Sequence, residues 1–217
     1  MYIIGLIDDE ESELKKIRRV IKTLCKDETY NFKSYLVPNK TENLVETMFA
    51  EILEDIIHER ISSLIVDYKI MVEATKVQGT EILKMIKDKV PKFPVIILTE
   101  IVEESMQPIY VDADKVYRKK DFFKIEEDYA KEKVYNIFDS MKKYVNQRDS
   151  LETSIKDFKE RFLNGENMSN VIPNILTLES KLNDFVPVDQ TQIDKVFDVN
   201  KAKEIVKLIE RANEILE

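Results

Sequence analysis

The chain has 217 residues, 43% of them hydrophobic and 35% charged, with a formal net charge of −8, which allows one large or two small domains with a sizeable core. The acid excess is even, with 20 Lys+Arg against 24 Asp+Glu in residues 1–126 and 14 against 18 in 127–217, so neither part is a basic module and nucleic acid is disfavoured as a partner. A single cysteine, Cys25, excludes an intrachain disulfide, and a single histidine, His58, excludes a His-rich zinc site. No apolar run approaches the eighteen or so residues of a membrane span.

The first apolar run, residues 2–7, suits a buried strand. An acidic stretch follows it, which is unlike a signal peptide, so a cytoplasmic location is the simplest expectation. Residues 11–25 carry Leu14, Ile17, Ile21 and Leu24 at helical spacing, with Cys25 expected to be a buried, inert thiol on that face. Residues 31–37 form a second strand candidate. Pro38-Asn39 breaks the chain, and Thr41 is placed to cap a helix whose broad apolar face runs from Leu44 through Met48 and Ile52 to Ile56. Residues 64–66 are the third strand, and 80–90 a helix with Ile82, Leu83 and Ile86 inward. Pro94 introduces the fourth strand, 95–98. A short helix at 102–109, limited by Pro108, and a fifth strand at 115–117 complete the alternation, which indicates an α/β fold with a parallel sheet.

Beyond Phe123 only helices are expected: residues 126–147, then 150–163 ending at Asn164-Gly165, then 171–185 with Pro173 in its first turn, then 189–197 and 201–216. The expected organisation is an α/β domain over residues 1–125 and an all-α domain over 126–217. Phe158, Phe162, Leu178, Leu182 and Phe185 are the candidate core of the second. The last helix mixes Lys201, Lys203, Lys207 and Arg211 with Glu204, Glu210 and Glu214. That is an i,i+4 paired surface rather than a basic recognition helix, so a protein-binding or dimerising role is expected there.

Chemistry-bearing residues stand at the strand ends. Asp8 and Asp9 follow the first strand, Asp67 the third, Thr99 the fourth and Lys119 the fifth. In an open parallel sheet these ends converge on one crevice. Grouped carboxylates suit a hard cation such as Mg2+, and a cation beside a lysine and a hydroxyl suits a phosphoryl group. Blander readings stand beside this one. Asp8-Asp9 also fits as a charge cluster favouring the next helix start, and Lys119 belongs to a basic run with Arg118 and Lys120. His58-Glu59 reads as an ordinary histidine on a helix end.

The segments Ile7-Asp8-Asp9-Glu10, Ile65-Val66-Asp67, Ile97-Leu98-Thr99, and Ala113-Asp114 leading to Lys119 together resemble a response-regulator receiver domain of two-component signalling, over roughly residues 1–125. The resemblance implies a five-stranded, doubly wound parallel sheet of flavodoxin-like order 2-1-3-4-5. It implies Asp67 as the phosphoacceptor, taking a phosphoryl group from a histidine kinase or phosphotransfer protein. Asp9 would bind Mg2+ directly and Asp8 through water, with Asp67 and the Lys69 backbone carbonyl as further ligands. Thr99 would hydrogen-bond one phosphoryl oxygen and Lys119 would neutralise another. A helical domain would carry the signal to a downstream protein, and a homodimer is compatible with it. Such a protein is a signalling phosphoprotein rather than an enzyme, with at most self-phosphorylation and autodephosphorylation.

The chain also departs from the family pattern. Glu100 follows Thr99 where a small residue is usual. Lys120 replaces the proline after the lysine, and the aromatic switch position holds Val116, with Tyr117 next to it. Met71-Val72 replaces Met-Pro, and the 67–79 segment is about four residues longer than is usual for the family. These departures keep three alternatives open: a pseudo-receiver that binds proteins without taking phosphate, a hydrolase using Asp67 as nucleophile, and a DNA-binding regulator, which the acidic helical half disfavours.

Overall fold

Short apolar runs bounded by polar residues build a central sheet. The computed structural model describes residues 1–35, 37, 44–72, 75–100, 115–164 and 168–187. In chain order the elements are β1 (Tyr2–Ile7), α1 (Glu11–Leu24), β2 (Tyr30–Tyr35), α2 (Leu44–Ile57), β3 (Ser63–Asp67), β4 (Lys69–Val72), β5 (Thr75–Gln78), α3 (Gly79–Lys89), β6 (Val95–Thr99), β7 (Val116–Arg118), α4 (Lys119–Phe122), α5 (Asp128–Leu163) and α6 (Met168–Leu182). Five strands pair in parallel in the order β2-β1-β3-β6-β7. With the β4–β5 hairpin set aside, this is the 2-1-3-4-5 order of a flavodoxin-like sheet. Strands β3 and β6 are buried along their whole length, as central strands covered on both faces must be.

Alternate residues along each strand feed two cores. Leu64, Val66, Val95 and Ile97 join Ile52 and Ile56 of α2 and Ile82 and Ile86 of α3 on one side. Ile65, Ile96 and Leu98 join Leu14, Ile17 and Ile21 of α1 and Val134, Ile137 and Phe138 of α5 on the other. Helix α1 presents Leu14, Ile17, Val20 and Ile21 as one buried stripe, which is the i, i+3, i+6, i+7 spacing of an inward helix face.

Strands β2 and β7 and helix α3 each sit within a residue or two of their expected spans. Two departures are larger. Helix α5 runs unbroken for 36 residues, where two helices, 126–147 and 150–163, were expected. No Gly or Pro lies between residues 127 and 163. At the expected break, Arg148 is buried and pairs with Asp149 and with Glu59, both at 2.8 Å. A polar patch that satisfies its own charges does not interrupt a helix. Helix α6 begins at Met168, so Pro173 falls inside it rather than in its first turn, and the helix forgoes a backbone bond there. Residues 183–185 follow as a tighter turn, with Phe185 N–H donating to Leu182 O at 2.8 Å.

Contacts divide the chain into Met1–Val186 and Pro187–Glu217. The boundary expected between 125 and 126 therefore falls inside the first unit. The physical reason is that α5 packs on the sheet: Val134, Ile137, Phe138 and Met141 belong to the α1-side core, and Tyr144 to the other. Phe185 also joins the sheet's core, stacked on Tyr144 at 5.7 Å between ring centroids, while Phe158 and Leu178 are only half-buried. The side chain of Phe162, the cap at Thr41 and the helices expected at 102–109, 189–197 and 201–216 lie outside the described residues. No helix among the described residues is long and apolar enough to cross a membrane.

Candidate functional site: an acidic crevice at the strand ends

Parallel pairing puts the carboxyl ends of β1, β3, β6 and β7 side by side, with Ile7 opposite Val66, Asp67 opposite Leu98 and Thr99 opposite Arg118. Asp67 and Thr99 are the last residues of their strands, Asp8 follows β1, and Lys119 opens α4 directly after β7. Asp8, Asp9 and Asp67 each offer a carboxylate oxygen, and these oxygens all lie within 4.8 Å of one another. Asp8, Asp67, Thr99 and Lys119 are buried, while Asp9 is exposed.

Lys119 ties the group together. Its Nζ donates to Asp8 Oδ2 at 2.8 Å and to Asp67 Oδ1 at 2.9 Å. The remaining oxygens take backbone donors: Asp8 Oδ1 accepts Glu10 N–H at 2.9 Å, and Asp67 Oδ2 accepts Lys69 N–H at 3.2 Å. Asp67 is thus held through both oxygens. Thr99 and Lys69 form part of the crevice wall, as does the exposed Glu100. Arg118 and Lys120, the neighbours in the basic run, face solvent, and Arg118 pairs with Asp121 at 3.6 Å. Lys119 is therefore the lysine that enters the site.

The electrostatics follow from burial. Burial pushes the Asp67 carboxyl up to about 6, against the pull of the Lys119 ammonium and with a further push from Asp8. Burial likewise raises Asp8, opposed by Lys119 and the Glu10 amide. Burial pulls the Lys119 ammonium down, but the Asp67 and Asp8 carboxylates outweigh it and the net shift is upward. Two buried carboxylates share one buried ammonium, so the cluster keeps an excess negative charge with Asp9 at its open edge. That donor set fits a hard divalent cation bound by oxygen.

The crevice holds two features that the strand-end reasoning missed. Glu13, in the first turn of α1, reaches in with Oε2 3.7 Å from Lys119 Nζ. The long 67–79 segment is a hairpin: β4 and β5 pair antiparallel from Lys69 opposite Gln78 to Val72 opposite Thr75. Two apolar-bearing quartets separated by two residues are a hairpin signal that the sequence did carry. Both ends of the hairpin are fixed at the acceptor. Gly79 N–H donates to Tyr68 O at 2.9 Å, and a Cβ on Gly79 would stand 2.2 Å from the Asp67 carbonyl oxygen. Only glycine lets α3 back so closely onto the end of β3.

The aromatic next to the crevice is out of reach of it. Val116 packs on the α2–α3 side, and Tyr117 is fully buried on the other, against Phe122 with ring centroids 6.4 Å apart. His58 is exposed, its Nδ1 2.8 Å from Glu54 O. Cys25 is half-buried at the C-cap of α1 rather than sealed in the core.

No family model matches the sequence, and no curated protein does. Among solved structures, two of the Salmonella typhimurium RcsB response regulator, both described as showing conformational dynamism for DNA interaction, are 14% identical to this chain. They cover 90% of it, and 97% and 98% of their own chains are covered in turn, with TM-scores of 0.41 and 0.38. At that similarity the likeness adds nothing about function, and the fold stands on the strand pairing itself.

Proposed function

We propose that the protein is a receiver-type phosphoacceptor of two-component signalling in the cytoplasm, with Asp67 as the residue phosphorylated by a histidine kinase or phosphotransfer protein. The observation that supports this best is the single point at which Asp8, Asp9, Asp67 and Lys119 meet. Phosphoryl transfer asks a protein chiefly for position and charge, and the crevice offers both. An Asp67 oxygen attacks phosphorus, the P–N bond to the donor imidazole breaks, and the leaving nitrogen takes a proton from solvent. With its pKa near 6, Asp67 is mainly ionised at neutral pH and available as the nucleophile. Lys119 already touches it and neutralises charge on the transferred group, and Thr99 at the wall provides a hydroxyl for another phosphoryl oxygen.

Asp9, Asp67 and the Lys69 carbonyl would hold Mg2+, with Asp8 acting through water. Bound there, the ion supplies Lewis-acid neutralisation of the phosphoryl oxygens. The helices beyond the sheet would pass the change to a protein partner.

The test is intact mass after incubation with acetyl phosphate and Mg2+. One phosphoryl group added to the wild type and none to Asp67→Asn is the expected result. Equal addition to the variant would remove Asp67 from the role. No addition to either would favour the second reading, a pseudo-receiver that binds its partner without phosphate. The observation behind that reading is Glu100 on the crevice wall, where a carboxylate opposes an anionic donor.

A further inference from the structure

Lys119 is shared among three carboxylates, and one of them has no place in the acceptor chemistry. Asp8 and Asp67 take its hydrogen bonds at 2.8 and 2.9 Å, and Glu13 Oε2 stands 3.7 Å from the same nitrogen. Glu13 is not a mobile surface acid. Its side chain is 14% exposed, and its other oxygen, Oε1, accepts a 2.5 Å hydrogen bond from Lys16, one turn further along α1. Lys16 in turn lies 5.7 Å from the centre of the Phe123 ring. Glu13 is also separate from the Asp8–Asp9–Asp67 group, in which each carboxylate can serve one ion. Its charge is therefore aimed at the ammonium from outside the metal-binding set.

We propose that Glu13 is a positioning residue that holds back Lys119 and so acts as an electrostatic brake on phosphorylation of Asp67. The proposal rests on the phosphoacceptor reading of the site. An incoming phosphoryl group must draw Lys119 toward its own oxygens. Glu13 competes for the ammonium and, from the wall of the same crevice, repels the group directly. Two unit charges some 6 Å apart in such a site alter a rate by one to two powers of ten. Lys16 offsets part of the Glu13 charge, so the expected effect is about tenfold.

The experiment measures the rate of Asp67 phosphorylation by intact mass in the full chain with Mg2+, for wild type, Glu13→Gln and Glu13→Asp. Two donors are compared, acetyl phosphate and phosphoramidate, the latter carrying less negative charge. The expected result is loading about tenfold faster in Glu13→Gln with acetyl phosphate, a smaller gain with phosphoramidate, and a slow, wild-type-like rate in Glu13→Asp, which keeps the charge. A merely structural role for Glu13 would not distinguish the donors. Wild-type loading with an unchanged or slower rate in Glu13→Gln would overturn the brake and leave the acceptor reading standing. Equal acceleration in Glu13→Asp, or with both donors alike, would overturn the charge argument. No loading in any variant would overturn the brake together with the reading beneath it.

Discussion

Replacing Asp67 by asparagine should make the protein more stable at neutral pH in the absence of divalent ions, although it removes the proposed acceptor. The Asp67 carboxyl is raised from 3.8 to about 6, chiefly by burial. The folded protein therefore binds a proton at pH values where the unfolded chain has lost it. Stability from this group is present at low pH, falls as pH climbs from about 4 to about 6, and stays lost above that. That rise corresponds to a cost of about 3 kcal/mol to the wild-type fold at pH 7, absent from the variant. Part is given back: an asparagine that keeps its carbonyl oxygen on Lys119 turns its NH2 toward the Lys69 N–H that Asp67 Oδ2 accepts at 3.2 Å, which costs about 1–2 kcal/mol. The expected net gain is about 1–2 kcal/mol.

Urea unfolding at pH 7.0 and pH 5.0 in EDTA measures it. Asp8, raised in the same direction, titrates in both proteins, so the difference between them reports Asp67 together with its coupling to Asp8. On moving from pH 7 to pH 5 the wild type should gain about 1 kcal/mol more than the variant. A variant less stable than wild type at pH 7, with the same pH dependence, would refute the reasoning. It would mean that the 2.9 Å pairing with Lys119 outweighs the cost of burying the charge.

Three further outcomes are expected. Thermal melts with Mg2+ at ten times its Kd should show a stabilisation of about 1.4 kcal/mol in wild type, and Asp9→Ala, which leaves the Lys119 pairs intact, should abolish it. Gly79→Ala should destabilise the fold by about 2 kcal/mol or more in urea titration, since its Cβ would meet the Asp67 carbonyl oxygen at 2.2 Å and no flexible group is there to yield. Tyr144→Phe removes a 2.7 Å hydrogen bond to the Phe185 carbonyl, and chemical unfolding should register a loss of about 1–2 kcal/mol.

The sheet and most of the crevice were legible because they depend on two robust signals. Buried parallel strands are continuous apolar runs, and a polar residue at the end of such a run lands on a known edge of the sheet. That logic places Asp8, Asp9, Asp67, Thr99 and Lys119 without knowledge of any side-chain contact. It fails for Glu13, because an acid in the first turn of a helix ordinarily serves the helix dipole. Only the packing angle of α1 decides that this one faces Lys119. The joined helix α5 was hidden for a related reason. Arg148 and Asp149 look like a solvated break until Glu59 arrives from the end of α2, from a backbone with φ of 56°. Pairings between distant segments are invisible to periodicity. The β4–β5 hairpin was half visible: its length registered as an extended loop, while its alternation went unused.

Helix α5 changes what a movement at the sheet could accomplish. Its 36 residues give it a contour of about 54 Å. Its first half is seated on the α1-side core beneath Tyr117 and Phe122, and its later turns pair with α6, where Lys159 meets Glu179 at 3.0 Å. It is one beam seated on the sheet's two cores from Val134 to Leu151, with its last turns extending beyond. The turns past Leu151, up to Leu163, extend about 18 Å beyond that seat, so a tilt of about five degrees would move the end of the helix by about 2 Å. Because the helix is unbroken, a displacement at the strand-end crevice would reach α6 through α5 without a hinge between them.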